Sequence, residues 1–119
     1  KTAKVAFELF LYDNVQRLAQ PDKPTGCMLV VATINCSDNA QQIQHNILEK
    51  RLKTKQRLLE RLQQGVAEGD LAATAPVTEM ADFYATVLQG LTMQARDGAT
   101  VTQLHKVVEH AMRTWELFE

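Results

Sequence analysis

The sequence predicts an all-α fold, a five-helix orthogonal bundle forming a single domain over residues 1–119. Three observations carry this expectation. Gly and Pro number five and three in 119 residues, while helix-favouring Gln, Leu, Ala, Glu, Lys and Arg are plentiful. Apolar residues recur at helical spacing through most of the chain. No pair of segments reads as two strands able to satisfy each other's backbone groups. With 45% hydrophobic and 23% charged residues, the composition suits one compact core.

The first helix is expected from Thr2 to about Ala19. Val5, Phe7, Leu9, Phe10, Leu11, Tyr12, Val15 and Leu18 point in nearly every direction at 100° per residue. Such a helix is expected to be buried on most sides. Pro21 and Pro24 end it. Gly26 to about Asn35 carries the β-branched Val30, Val31, Thr33 and Ile34. With no partner strand, it is expected as a short buried helix.

Ser37-Asp38-Asn39 supplies N-cap chemistry, and Asp38 with Gln41 has the capping-box spacing. The long helix that follows should run to about Glu68, with Gly69 as its C-terminal cap and Gly65 as an alternative stopping point. Ile47, Leu48, Leu52, Leu58, Leu59, Leu62 and Val66 share its apolar stripe. Lys50, Lys53, Arg57 and Arg61 sit opposite and read as a solvated face, since no interleaved aromatic offers base stacking. After a loop over residues 72–75, Pro76 suits the first turn of a helix over about Val77–Arg96. Asp97-Gly98 closes it, and Thr100 with Gln103 forms a second capping box. The last helix has a clean apolar face of Val101, Leu104, Val107, Val108, Ala111, Trp115 and Phe118.

Several classes of function are excluded at this level. Strong sequence-independent DNA binding needs a surplus of Lys and Arg, and the net charge is −1. Cys27 and Cys36 are too few for a disulfide framework or a structural zinc site. They read as reduced thiols in a cytoplasmic protein, Cys27 as a small buried hydrophobe rather than a redox sensor. The longest apolar run, Cys27 to Ile34, falls far short of the ~20 residues that span a bilayer. His45, His105 and His110 fit no metal-ligand spacing, and no nucleophile elbow or phosphate-binding loop occurs. No catalytic residue, metal or cofactor is therefore expected, and the chain is not read as an enzyme.

Four phrases occur in a fixed order. They are Pro24-Thr25-Gly26-Cys27-Met28-Leu29-Val30, Glu68-Gly69-Asp70-Leu71, Leu88-Gln89-Gly90-Leu91 and Gln94-Ala95-Arg96-Asp97-Gly98. Followed by an amphipathic helix ending at Trp115, they resemble the C-terminal half of tetracycline-repressor-type (TetR-type) transcriptional regulators. The resemblance covers essentially the whole chain. It implies an effector-sensing and homodimerising domain whose last two helices form a four-helix bundle with a partner subunit. It further implies that a small molecule bound within each subunit shifts two DNA-reading helix-turn-helix heads. Nothing in Lys1 to Leu18 resembles such a head, so DNA contact is expected only through a preceding N-terminal domain. The opening on Lys1, directly in helical periodicity, reads as the continuation of a longer protein.

Two groups of site residues follow. The Val77–Arg96 helix has two apolar faces, and Gly90 on the second costs about 1 kcal/mol of helix propensity relative to Ala. A closely approaching partner helix would account for it. The expected homodimer interface is Phe83, Val87, Gly90 and Gln94 with Leu104, Val108, Ala111 and Trp115. Gln44, Arg51 and Lys55 fall on the apolar stripe of the long helix, where they either snorkel to solvent or orient a polar ligand head. In the second case Phe7, Phe10, Leu11, Met80 and Tyr84 are the expected apolar walls of the cavity. Two other architectures remain open: a helical dimerisation module without a ligand, and a cofactor-binding helical bundle.

Overall fold

The computed structural model describes residues 1–19 and 37–118, with residues 37–39 by backbone alone. Helices α1 (Ala3–Leu18), α2 (Ser37–Glu68), α3 (Val77–Arg96) and α4 (Val101–Arg113) are followed by a single helical turn, α5 (Trp115–Phe118). No strand occurs among the described residues. The helix expected between Gly26 and Asn35 lies outside them, as do Cys27, Cys36 and the side chains of the expected Asp38 cap. The 32 residues of α2, at ~1.5 Å each, account for the 48 Å long dimension of the molecule.

Local chemistry sets the helix ends. Thr2 caps α1 by accepting a hydrogen bond from the Val5 amide. The Thr100 hydroxyl accepts from the Gln103 amide while the Gln103 side chain accepts from the Thr100 amide, completing the expected capping box. Gly69 and Gly98 adopt φ of +86° and +98°, the left-handed conformation that terminates α2 and α3. The expected continuous last helix is instead divided at Thr114. The Ala111 carbonyl there accepts from the Thr114 amide, the Thr114 hydroxyl and the Tyr84 hydroxyl. The helix therefore stops at Arg113 and one turn re-forms around Trp115.

Three aromatic rings from three elements meet at the centre of the core. Phe7 of α1 contacts Tyr84 of α3 edge-on at 5.4 Å between centroids and Trp115 of α5 at 5.3 Å. Tyr84 and Trp115 are 5.6 Å apart. Around them lie Ala3, Leu11, Val15, Leu58, Leu62, Met80, Leu91, Leu104 and Val108, all buried. The buried face of α1 is Ala3, Phe7, Leu11 and Val15, one residue every fourth. Val5 and Leu9 on its far side are 45% and 51% exposed. The expectation that α1 is buried on most sides is corrected accordingly: its neighbours cover one face and the flanks.

The start of α1 is fastened to the C-terminal part of α2. Gly65 does not end α2 but sits buried within it. A Cβ at Gly65 would lie 2.9 Å from Ala3 Cβ and 2.8 Å from Asp70 Oδ1. The glycine is thus what permits α1 to begin against α2. Asp70 Oδ2 accepts from the Ala3 amide at 2.7 Å, placing a carboxylate at the positive end of α1. Arg61 Nη2 donates to the Lys1 carbonyl at 2.7 Å.

Two stability outcomes follow. Gly65→Ala gains about 1 kcal/mol of helix propensity but overpacks against Ala3 Cβ, which is fixed to the α1 backbone. Overpacking of this kind costs up to about 3 kcal/mol, so the urea midpoint should fall. Tyr84→Phe keeps the ring and removes the hydroxyl that bonds Ala111 and Thr114. It should lower unfolding free energy by about 1 kcal/mol with the helical circular dichroism unchanged.

Candidate functional site

A cleft of about 540 Å³ opens between α1, α2 and α3, within the size range of small-molecule sites. Its floor is apolar: Ala6, Phe7 and Phe10 from α1, Leu58 from α2 and Leu88 from α3. Its rim is basic, with Arg17 from α1 and Lys50, Arg57 and Arg61 from α2. Asn14 and Thr54 complete the lining, which contains no carboxylate among the described residues.

Two facing helical stripes build this arrangement. Phe7, Phe10, Asn14 and Arg17 recur at three- and four-residue steps on α1, as do Lys50, Thr54, Arg57 and Arg61 on α2. The two neutral polar groups are spoken for locally. Asn14 Nδ2 donates to the Phe10 carbonyl at 2.8 Å, and the Thr54 hydroxyl donates to the Lys50 carbonyl at 3.0 Å. Arg17 donates to Asn14 Oδ1 and lies 3.8 Å from exposed Asp13. The polar groups left to meet a ligand are the cations of α2.

The structure redistributes the expected ligand residues. Phe7 and Phe10 do line the cleft. Leu11, Met80 and Tyr84 do not; they lie in the closed core with exposures of 1% or less. Burial raises the Tyr84 phenol pKa above its ordinary 10.0, against an opposing hydrogen bond from Thr114. The ring therefore stays neutral as part of the aromatic cluster. Gln44 and Arg51 are exposed and outside the cleft. Lys55 pairs with Asp82 of α3 at 2.9 Å and joins α2 to α3 instead of facing a ligand. The basic face expected to be merely solvated supplies the rim, because α1 lies along that side of α2. The signal in the sequence was the 50, 54, 57, 61 spacing opposite a second stripe at 7, 10, 14, 17.

The expected interface residues also divide. Leu104, Val108, Ala111 and Trp115 are buried by their own chain, which corrects their assignment to a partner surface. The apolar face of α4 is the one its own core needs. Phe83 and Val87 are half-buried at the edge of that core, while Gly90 and Gln94 are exposed. On α4 the outward series is Gln103, Val107 and His110, with Val107 46% exposed. A Cβ at Gly90 would meet nothing within 4 Å among the described residues.

A smaller groove of about 260 Å³ lies between α1 and α4. Its charges alternate, with Lys4 and Arg113 among Glu8, Glu109 and Glu116. It therefore lacks the single-sign rim of the larger cleft. His45 pairs with Glu49 and His105 with Gln16. Among the described residues no group of three His, Cys, Asp or Glu is placed to hold a metal, and no helix is long and apolar enough to cross a membrane.

Comparison with known proteins gives a consistent family. The family model described as the tetracyclin repressor-like C-terminal domain matches residues 8–115. Two solved structures of cysteine mutants of the TetR family transcriptional regulator CifR, in complex with double-stranded operator DNA, are similar throughout the chain. One is 34% identical with a TM-score of 0.85, covering 97% of this chain and 60% of that one. The other is 33% identical with a TM-score of 0.84, covering 95% and 59%. The HTH-type transcriptional repressor ComR of Escherichia coli is 26% identical over 94 residues, 79% of this chain and 45% of ComR. The chain thus spans about half to three-fifths of these relatives' length. By a family match over nearly its whole length, and by a fold shared with solved regulators, the chain belongs to the tetracyclin repressor-like C-terminal domain family, whose members are regulatory domains and not enzymes.

Proposed function

We propose that this domain senses a small-molecule effector in the α1–α2–α3 cleft and pairs with a second copy through the outward faces of α3 and α4. In the longer protein the pair would carry two helix-turn-helix heads and act as a cytoplasmic transcriptional repressor, the effector altering DNA binding. The observation that carries this reading is the double duty of α3. Leu88 lines the cleft, while Gly90 and Gln94 on the same helix are exposed, with Val87 half-buried at the edge of the core beside them. A ligand touching Leu88 bears on the helix whose other side would meet the partner. Such a ligand changes DNA affinity only through a difference in its own affinity for the two geometries of the dimer.

The absent side chain at Gly90 supports the pairing. Nothing among the described residues requires the gap, yet glycine costs helix stability there. Val107, Gln103 and His110 on the outward side of α4 continue the surface in place of Leu104, Val108, Ala111 and Trp115.

The pairing is tested by sedimentation. The 13.4 kDa chain should sediment at twice its mass at micromolar concentration. Gly90→Arg and Val107→Glu should each shift it to the single-chain mass with helical content unchanged, because neither site is in the core. Single-chain mass for the unaltered protein overturns the pairing.

A further inference from the structure

We infer that the effector is a small organic anion with a hydrophobic body, its charge held by Lys50, Arg57 and Arg61 and its body lying on Phe7 and Phe10. This rests on the reading of the cleft as the sensing site and goes further in fixing the ligand's chemistry. The chain as a whole is slightly acidic, at −1, so an all-cationic rim is a local concentration against the average. Lys50 and Arg57 form no ion pair with any described residue. Arg61 is held in place: its Nη2 donates to the Lys1 carbonyl, and its Nη1 and Asp70 Oδ1 are both buried without a partner among the described residues. It adds positive charge to the rim, while the exposed Lys50 and Arg57 can each meet a carboxylate, sulfonate or phosphate oxygen with a charge-assisted hydrogen bond. Phe7 and Phe10 supply an aromatic floor that a fully polar anion would leave unused. Both ends of the site therefore select for an amphiphile.

The test uses two fluorescent probes sharing one aromatic body: 8-anilinonaphthalene-1-sulfonate, and N-phenyl-1-naphthylamine, which lacks the sulfonate. The anionic probe should bind the intact chain with one site per subunit and about tenfold tighter than the neutral one. Its affinity should fall with rising salt. Arg57→Gln and Lys50→Gln, both at exposed positions, should each weaken the sulfonate about fivefold to tenfold, an effect of the size of one ordinary net hydrogen bond, and leave the amine unchanged. Phe10→Ala should weaken both probes, and Lys106→Gln, on α4 away from the cleft, neither. Equal affinity of the two probes, or a sulfonate affinity insensitive to Arg57 and Lys50, overturns the anion assignment while the sensing role of the cleft stands. Failure of both probes to respond to Phe10→Ala overturns both.

Discussion

The fold turns on the meeting of Phe7, Tyr84 and Trp115. Each ring comes from a different element, so their contacts bind α1, α3 and the closing turn into one body. Edge-on aromatic pairs add about 0.5–1.5 kcal/mol each beyond the area they bury. The Tyr84 hydroxyl extends the cluster into the backbone by bonding the Ala111 carbonyl. That bond helps end α4 and turns the chain so that Trp115 enters the core. Phe7 also lines the cleft, so the cleft is bounded by a residue whose position the core already fixes. A binding surface built on such a residue is preorganised, and little ordering need accompany ligand entry.

The same economy of parts runs through the helices. α1 contributes one face to the core, a second to the cleft, and its first turn to the end of α2. α3 divides between the core, the cleft and its outward series. Lys55 and Asp82 join α2 to α3 at the surface, where a half-exposed ion pair contributes little stability but sets the register of the two helices. A domain with so few elements has no helix that serves one purpose alone.

Much of this was legible in the sequence, for identifiable reasons. Thr100–Gln103, Gly69 and Gly98 act over three or four residues, so those helix ends could be read from local chemistry. The Val77–Arg96 helix was readable as two-faced because its outward series is only partly apolar. The assignment of α4 was harder. Leu104, Val108, Ala111 and Trp115 form a clean stripe whether they meet the same chain or another, and periodicity alone does not say which. The division at Thr114 was hidden because it depends on Tyr84, thirty residues earlier. The basic stripe of α2 is exposed at Lys50, Lys53 and Arg57, as a solvated face should be. That part of it borders a cleft depends on α1, which the tertiary contact at Gly65 brings alongside. Arg51 and Lys55 seemed the more unusual residues by their place on the apolar stripe, yet their length lets one reach solvent and the other a carboxylate.

The fastening at the beginning of α1 has a mechanical corollary. Within two peptide units, Arg61 grips the Lys1 carbonyl and Asp70 grips the Ala3 amide, while Gly65 lets the two backbones touch. A polypeptide secured at a carbonyl and an amide so close together enters the bundle along a set heading, with no slack to swivel. Whatever precedes it would be carried as on a lever whose fulcrum is the far end of α2. One of the two grips is made by an arginine that also borders the cleft, so the fastening and the cleft share a side chain.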